Sequence, residues 1–152
     1  MKLLFTIFSL ILIPKDCNNL SSSFKELQKR QDTITITYLA VSRGFFEEIS
    51  VSNNSFSICN DLNRKEYKTY ECSKKDWNES LELLSKINIQ ELPKLVAPTS
   101  MRQYDGAAHA TLIIKDGDNK IKSNTFDHGH PPEEIKALVE KLLSFKKIAT
   151  KQ

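Results

Sequence analysis

The stretch Phe45-Phe46-Glu47-Glu48-Ile49-Ser50-Val51-Ser52-Asn53-Asn54-Ser55-Phe56-Ser57-Ile58-Cys59 decides the fold. Asn53-Asn54 tolerates the positive φ that a tight hairpin turn demands. A turn centred there sets Val51 opposite Phe56 and Ile49 opposite Ile58, so both apolar pairs fall on one face. Glu48, Ser50, Ser57 and Cys59 share the other. Strand side chains alternate with a period of two, so a slip of one residue would send every apolar group to the wrong face. Turn chemistry and hydrophobic register agree in this pairing.

Working outward, Thr33-Ile34-Thr35-Ile36-Thr37-Tyr38 alternates with the same period and is rich in β-branched residues, which predicts a preceding strand. Tyr67 to Cys72 supplies another strand after a charged loop turning at Asp61–Glu66. Ser73-Lys74-Lys75-Asp76 resembles a capping box and opens a helix whose buried stripe is Trp77, Leu81, Leu84 and Ile87, with Pro93 as its limit. An irregular connection leads to Arg102. A second hairpin runs from Ala108 to Lys115, turns at Asp116–Asn119 and returns through Lys120 to Phe126. Pro131-Pro132-Glu133-Glu134 starts the last helix, with proline in its first turn and acids at the positive end of its dipole. Its stripe is Ile135, Leu138, Val139, Leu142 and Phe145. The order β-β-β-β-α-β-β-α predicts an α+β fold: an antiparallel sheet of about six strands with two helices packed on one face.

Residues 1–16 read as a signal peptide or apolar leader. Met1-Lys2 gives a positive start, and Leu3 to Ile13 is apolar except for Thr6 and Ser9. As a helix that run would span roughly 16 Å, about half the hydrocarbon thickness of a bilayer, too short for a comfortable transmembrane anchor. Cys17 stands where a lipid-modified cysteine would stand, but Pro14-Lys15-Asp16 is not the small apolar run that lipidation requires. Residues 17–32 read as a polar tether, in which Ser23 and Glu26 could cap a short helix carrying Phe24 and Leu27. Residues 33–148 form the single domain, long enough to bury roughly two-thirds of its unfolded surface without staples.

Composition narrows the class. A net charge of +3 with no Lys/Arg stripe interleaved with aromatics gives no footprint for nucleic acid. Cys59 and Cys72 are the candidates for a disulfide in an oxidising compartment. A hairpin turning at Asp61–Glu66 sets Cys59 opposite Lys68 and Cys72 opposite Ser55, an offset of roughly 13 Å along the strand that argues against the bond.

The second hairpin carries the candidate site. Pairing Asp116 with Asn119 sets Ile114 opposite Ile121, Ala110 opposite Thr125 and Ala108 opposite Asp127. Extending that register brings Arg102-Gln103-Tyr104-Asp105-Gly106 beside Asp127-His128-Gly129-His130 at one end of the sheet. Arg43, at the junction after the first strand, can join them. The candidate polar cluster is Arg43, Arg102, Tyr104, Asp105, Asp127 and His128. Besides a ligand or partner site using Arg43, Arg102 and Tyr104, three functions are open to it. Asp105, His109, His128 and His130 share side-chain parity if the strands stay regular, and imidazole with carboxylate suits a transition metal. Asp127 or Asp105 with His128 suits an acid–base pair beside Arg102. The third is a salt-bridge and capping network ahead of the last helix. No serine or cysteine sits in a recognisable nucleophile elbow, and no cofactor is expected.

Asp105-Gly106-Ala107-Ala108 with Ala110-Thr111-Leu112, the run Phe126-Asp127-His128-Gly129 with Pro131-Pro132, and Lys75-Asp76-Trp77-Asn78 together resemble a family of small uncharacterised lipoproteins of Bacteroidota-type bacteria. The resemblance covers Thr35 to Leu143. It implies location and domain boundaries but no reaction. Members of that family keep a lipobox before the cysteine, which this chain lacks at Cys17. In the family pattern the positions of His109 and His130 vary, which favours Arg102, Asp105, Asp127 and His128. The expected protein is therefore exported to the periplasm or cell envelope and binds or scaffolds. Its partner would be an envelope protein or a small-molecule ligand, and it would reach the membrane only through the leader or an anchor at Cys17. The alternative is a metal-dependent or acid–base hydrolase using the Asp105, Asp127 and His128 end of the sheet.

Overall fold

A computed structural model describes residues 16–152, with side chains from Ser22 onward. The apolar leader and the side chain of Cys17 lie outside the described residues. No helix among those described is long and apolar enough to cross a membrane.

The fold is α+β. Strands β1 (Ile34–Ser42), β2 (Phe45–Val51), β3 (Ser55–Cys59), β4 (Lys68–Glu71), β5 (His109–Asp116) and β6 (Asn119–Lys122) form an antiparallel sheet in the order β4-β3-β2-β1-β5-β6. A two-residue strand, β7 (Phe126–Asp127), also pairs with β5. The central hairpin has the expected register, with Val51 opposite Phe56 and Ile49 opposite Ile58. Three helices, α1 (Asp16–Lys29), α2 (Lys74–Ser85) and α3 (Glu133–Ala149), join them.

Alternation accounts for the core. Ile34, Ile36, Tyr38 and Ala40 of β1 are buried while the intervening residues are partly exposed. They meet Trp77, Leu81 and Leu84 of α2 and Ile135, Leu138, Leu142 and Phe145 of α3. The outer face carries Thr35, Thr37, Ser50 and Ser57 beside partly exposed Leu39, Val41 and Ile113; Thr37 and Ser50 bond across it at 2.7 Å. Phe46 also points to that side and is 3% exposed, because Arg64 of the β3–β4 loop lies 4.8 Å over its ring.

Four expectations change. Residues 17–32 are not a solvated tether: α1 packs on α2, Leu27 is buried in the core, and Trp77 Nε1 donates to Gln31 at 3.2 Å. The sheet therefore carries a third helix. Pro93 does not end α2, which stops at Ser85; Asn88 caps a separate 3-10 turn, Ile89–Lys94, by accepting from the Gln90 amide. The β3–β4 register differs by one residue, with Ile58 rather than Cys59 opposite Lys68. Cys59 and Cys72 are both buried free thiols, in keeping with the separation expected of them.

The fourth change is the most consequential. Ile114 pairs with Ile121 as expected, but Ala110 pairs with Phe126 and His109 with Asp127. Between Ile113–Lys122 and Ala110–Phe126 the returning strand carries one extra residue, a β-bulge. Ser123 holds the bulge: its amide donates to Leu112 O (2.8 Å) and its hydroxyl oxygen accepts from Leu112 N (3.0 Å). Past the bulge every side chain is on the face opposite to that expected.

Candidate functional site

The bulge separates residues that regular strands would have brought together. Asp127 now shares the outer face with His109, and His128 turns toward the helix-covered face. Adjacent strand residues alternate sides, so the Asp127–His128 dyad does not form. Among the described residues, no three His, Cys, Asp or Glu side chains converge as a metal site. Of Asp105, His109, His128 and His130, the two imidazoles His109 and His128 thus lie on opposite sides of the sheet end.

Asp127 is completely buried by the turn Thr99–Arg102, which folds over it. One carboxylate oxygen, Oδ1, accepts from Arg102 N (3.0 Å) and Arg102 Nη1 (2.9 Å). The other, Oδ2, accepts from Thr99 Oγ1 (2.5 Å) and Met101 N (2.6 Å). Arg102 Nη1 also donates to Thr99 O at 2.7 Å. Burial alone would raise the carboxyl pKa, but the bonds from Thr99, Arg102 and Met101 outweigh it and hold the group well below the usual range. This is the geometry of a staple that fastens a loop to the sheet. A carboxylate so fully bonded has little capacity left to accept a substrate proton.

The loop ends where Asp105 adopts a left-handed conformation (φ 57°) and Gly106 closes the turn by donating to Met101 O at 2.9 Å. A Cβ on Gly106 would lie 3.2 Å from that same oxygen, tight enough that the turn would have to give by a few tenths of an ångström. Asp105 and Tyr104 are exposed, Tyr104 at 81%. Arg43 is exposed in the β1–β2 turn at the same end of the sheet.

His128 has a different partner. Its Nδ1 lies 2.7 Å from the hydroxyl of Tyr38, and its ring packs between Tyr38 and Phe45, with centroids 6.0 and 5.4 Å away. Burial, and then the Glu47 carboxylate, push the Tyr38 phenol far above its ordinary pKa, so it keeps its proton. Glu47 is itself buried: Oε2 accepts from Lys146 Nζ at 2.6 Å, and Oε1 has no partner. Neither Tyr38 nor Glu47 stood out in the sequence reading. Glu47 had a signal, since it shares the parity of Ile49 and Val51 and is therefore a carboxylate at a core-facing position.

A further hollow lies elsewhere. A cleft of about 660 Å³ opens between the β3–β4 loop, β4 and the C-terminal end of α3. Ile58 and Tyr70 supply apolar surface, and Asn60, Glu66, Lys68 and Lys146 line the remainder. Asp61 shapes the loop: its carboxylate accepts from Lys65 N (2.9 Å) and Asn63 N (3.1 Å), bonds that lower its pKa. The sequence could not assemble this cleft, because Thr150 and Asn60 are brought together only by the packing of α3 on the sheet. No family model matches the chain, and no curated protein matches it.

Proposed function

We propose that the chain is an exported cell-envelope domain that binds a ligand without catalysis, through the cleft beside the end of α3. The observation that carries this reading is a contrast in how polar groups are used. At the end of the sheet Asp127, Arg102 and Thr99 spend their hydrogen bonds on one another. In the cleft, Asn60, Glu66, Lys68 and the Tyr70 hydroxyl engage no other described side chain while lining a common hollow. A concave surface with apolar floor and a few convergent polar groups is where small ligands bind. Export rests on the apolar run after Met1-Lys2 and is tested by fusing residues 1–32 to a reporter that is active only after export.

The binding test is a thermal-shift screen of small molecules on three proteins: wild type, Lys68→Met and Tyr104→Ala. Compounds that raise the wild-type Tm should lose their effect on Lys68→Met and keep it on Tyr104→Ala. The opposite pattern would move the site to the sheet end.

A second reading has one observation in its favour. The His128–Tyr38 bond, with Glu47 in electrostatic range, places a titratable ring against a protonated phenol. Hydrolytic turnover abolished by His128→Gln at unchanged Tm would replace the binding reading with this one.

A further inference from the structure

The cleft lining carries information about ligand chemistry. Tyr70 stacks on Phe56, its cross-strand neighbour, with centroids 5.1 Å apart and planes 17° from parallel. Phe56 in turn packs on Phe145 of α3 at 4.8 Å. One side of the Tyr70 ring is therefore held rigidly, and what remains faces the cleft it lines. Around the ring stand groups of both hydrogen-bonding senses. Lys68 and Lys146 donate, Glu66 accepts, and the Asn60 amide does both. Lys146 is a positioned donor, because its ammonium is fixed to buried Glu47.

Charge then selects among ligands. Lys68 and Lys146 are balanced by Asp61 and Glu66, so the lining has no net formal charge. A phosphate or carboxylate ligand calls for an excess of cationic donors, which is absent. A cation calls for converging carboxylates, and Asp61 is already committed to the Asn63 and Lys65 amides. A neutral polyhydroxylated ring fits both halves of the site: its C–H face lies on an aromatic ring, and its hydroxyls, each donor and acceptor, meet mixed partners at the rim. We propose that the cleft is a saccharide-binding site, with Tyr70 as the stacking platform and Asn60, Glu66 and Lys68 holding ring hydroxyls. The volume, about 660 Å³, has room for a short oligosaccharide. This inference rests on the binding reading above and adds the ligand class.

The test is an NMR titration of the ¹⁵N-labelled protein with four probes: maltotriose, chitotriose, AMP and the dipeptide Gly-Glu. At least one trisaccharide should shift the amides of Asn60, Lys68, Tyr70 and Thr150, and Tyr70→Ala should weaken its binding by about tenfold. Removing the ring also removes the stack on Phe56, so two further variants accompany it. Tyr70→Phe should retain most of the affinity, and Lys68→Met should lose affinity at unchanged Tm. If AMP or the dipeptide shifts those amides while both trisaccharides leave them unmoved, the saccharide class is overturned and the binding cleft stands. If all four probes leave the cleft amides unmoved, both readings fall together. Trisaccharide shifts confined to Tyr104, Asp105 and His128 would overturn the cleft assignment.

Discussion

Asp127 is the residue on which the sheet end depends. It gathers four hydrogen bonds from a turn more than twenty residues away in sequence. In Asp127→Asn the new amide presents a donor where donors already converge, and the charge that Arg102 neutralises is gone. The expected cost is about 3 kcal/mol, a fall in Tm of roughly 6–12 °C. Hydrogen exchange should quicken at Met101 and Arg102 before it does in the core; unchanged exchange there would refute the staple. Lys146 and Glu47 form the second residue-scale case. Lys146→Met leaves the Glu47 carboxylate buried with neither oxygen paired, at a cost of about 2 kcal/mol given that Lys146 is half exposed. Adding Glu47→Leu removes the stranded charge, and urea unfolding of the double variant should recover at least half of that loss. The Cys72 thiol, pushed up to about 11 by burial and by Asp76, stays protonated and unreactive at neutral pH.

The bulge between β6 and β7 shows how much one residue can decide. Ser123 is 4% exposed, and its hydroxyl stands in for a ladder acceptor, receiving the Leu112 amide and donating to Asn124 O. Ser123→Ala should leave the buried Leu112 N–H without an acceptor, destabilising by about 1–3 kcal/mol. Faster hydrogen exchange concentrated at Leu112 would mark the loss; a Tm within a degree of wild type would exclude this account. The hairpins themselves were legible. The pairs Val51–Phe56 and Ile49–Ile58 follow from period two alone, although neither Asn53 nor Asn54 takes the positive φ expected of a tight hairpin turn. The bulge was not legible, since Ser123-Asn124-Thr125 can be written into a regular strand without violating any local rule. The candidate site inherited that error, because its residues were grouped by parity across the bulge. The cap at Ser73, which accepts from the Asp76 amide at 3.1 Å, is local and was visible in the sequence.

At the scale of the molecule, one sheet face carries the helices and the other is a mixed surface of hydroxyl side chains with partly exposed Leu39, Val41 and Ile113. Stability should be sensitive to acid for a specific reason. Three carboxylates, Asp127, Asp76 and Asp61, have pKa values lowered in the folded state. In Asp127 and Asp76 burial opposes the shift, and hydrogen bonds from Thr99 and Arg102, or from Lys141 and Ser73, outweigh it; in Asp61 the Lys65 and Asn63 amides lower it. A group whose folded pKa lies below its unfolded value stabilises fully above the unfolded value, about 3.9 for aspartate, and less as pH falls toward the folded one. Unfolding free energy should therefore drop steeply below about pH 4 and be flatter in Asp127→Asn. Identical slopes for the two proteins would show that Asp127 contributes nothing to acid unfolding.

By itself, the sequence determined the fold class, the paired hairpin at its centre and the buried stripes of α2 and α3. These depend on periodicity and turn residues, which act over a few positions along the chain. Tertiary structure decided the rest. It turned residues 17–29 from apparent tether into a packed helix, because Leu27 had a core to enter. It put His109 and His128 on opposite sides through one extra residue, and it drew Asn60, Lys68, Tyr70 and Lys146 around a cleft from three separate segments. The physical reason is common to all three. A strand pattern specifies which residues face together, but only the closed packing of helices on the sheet specifies which of those faces stay open.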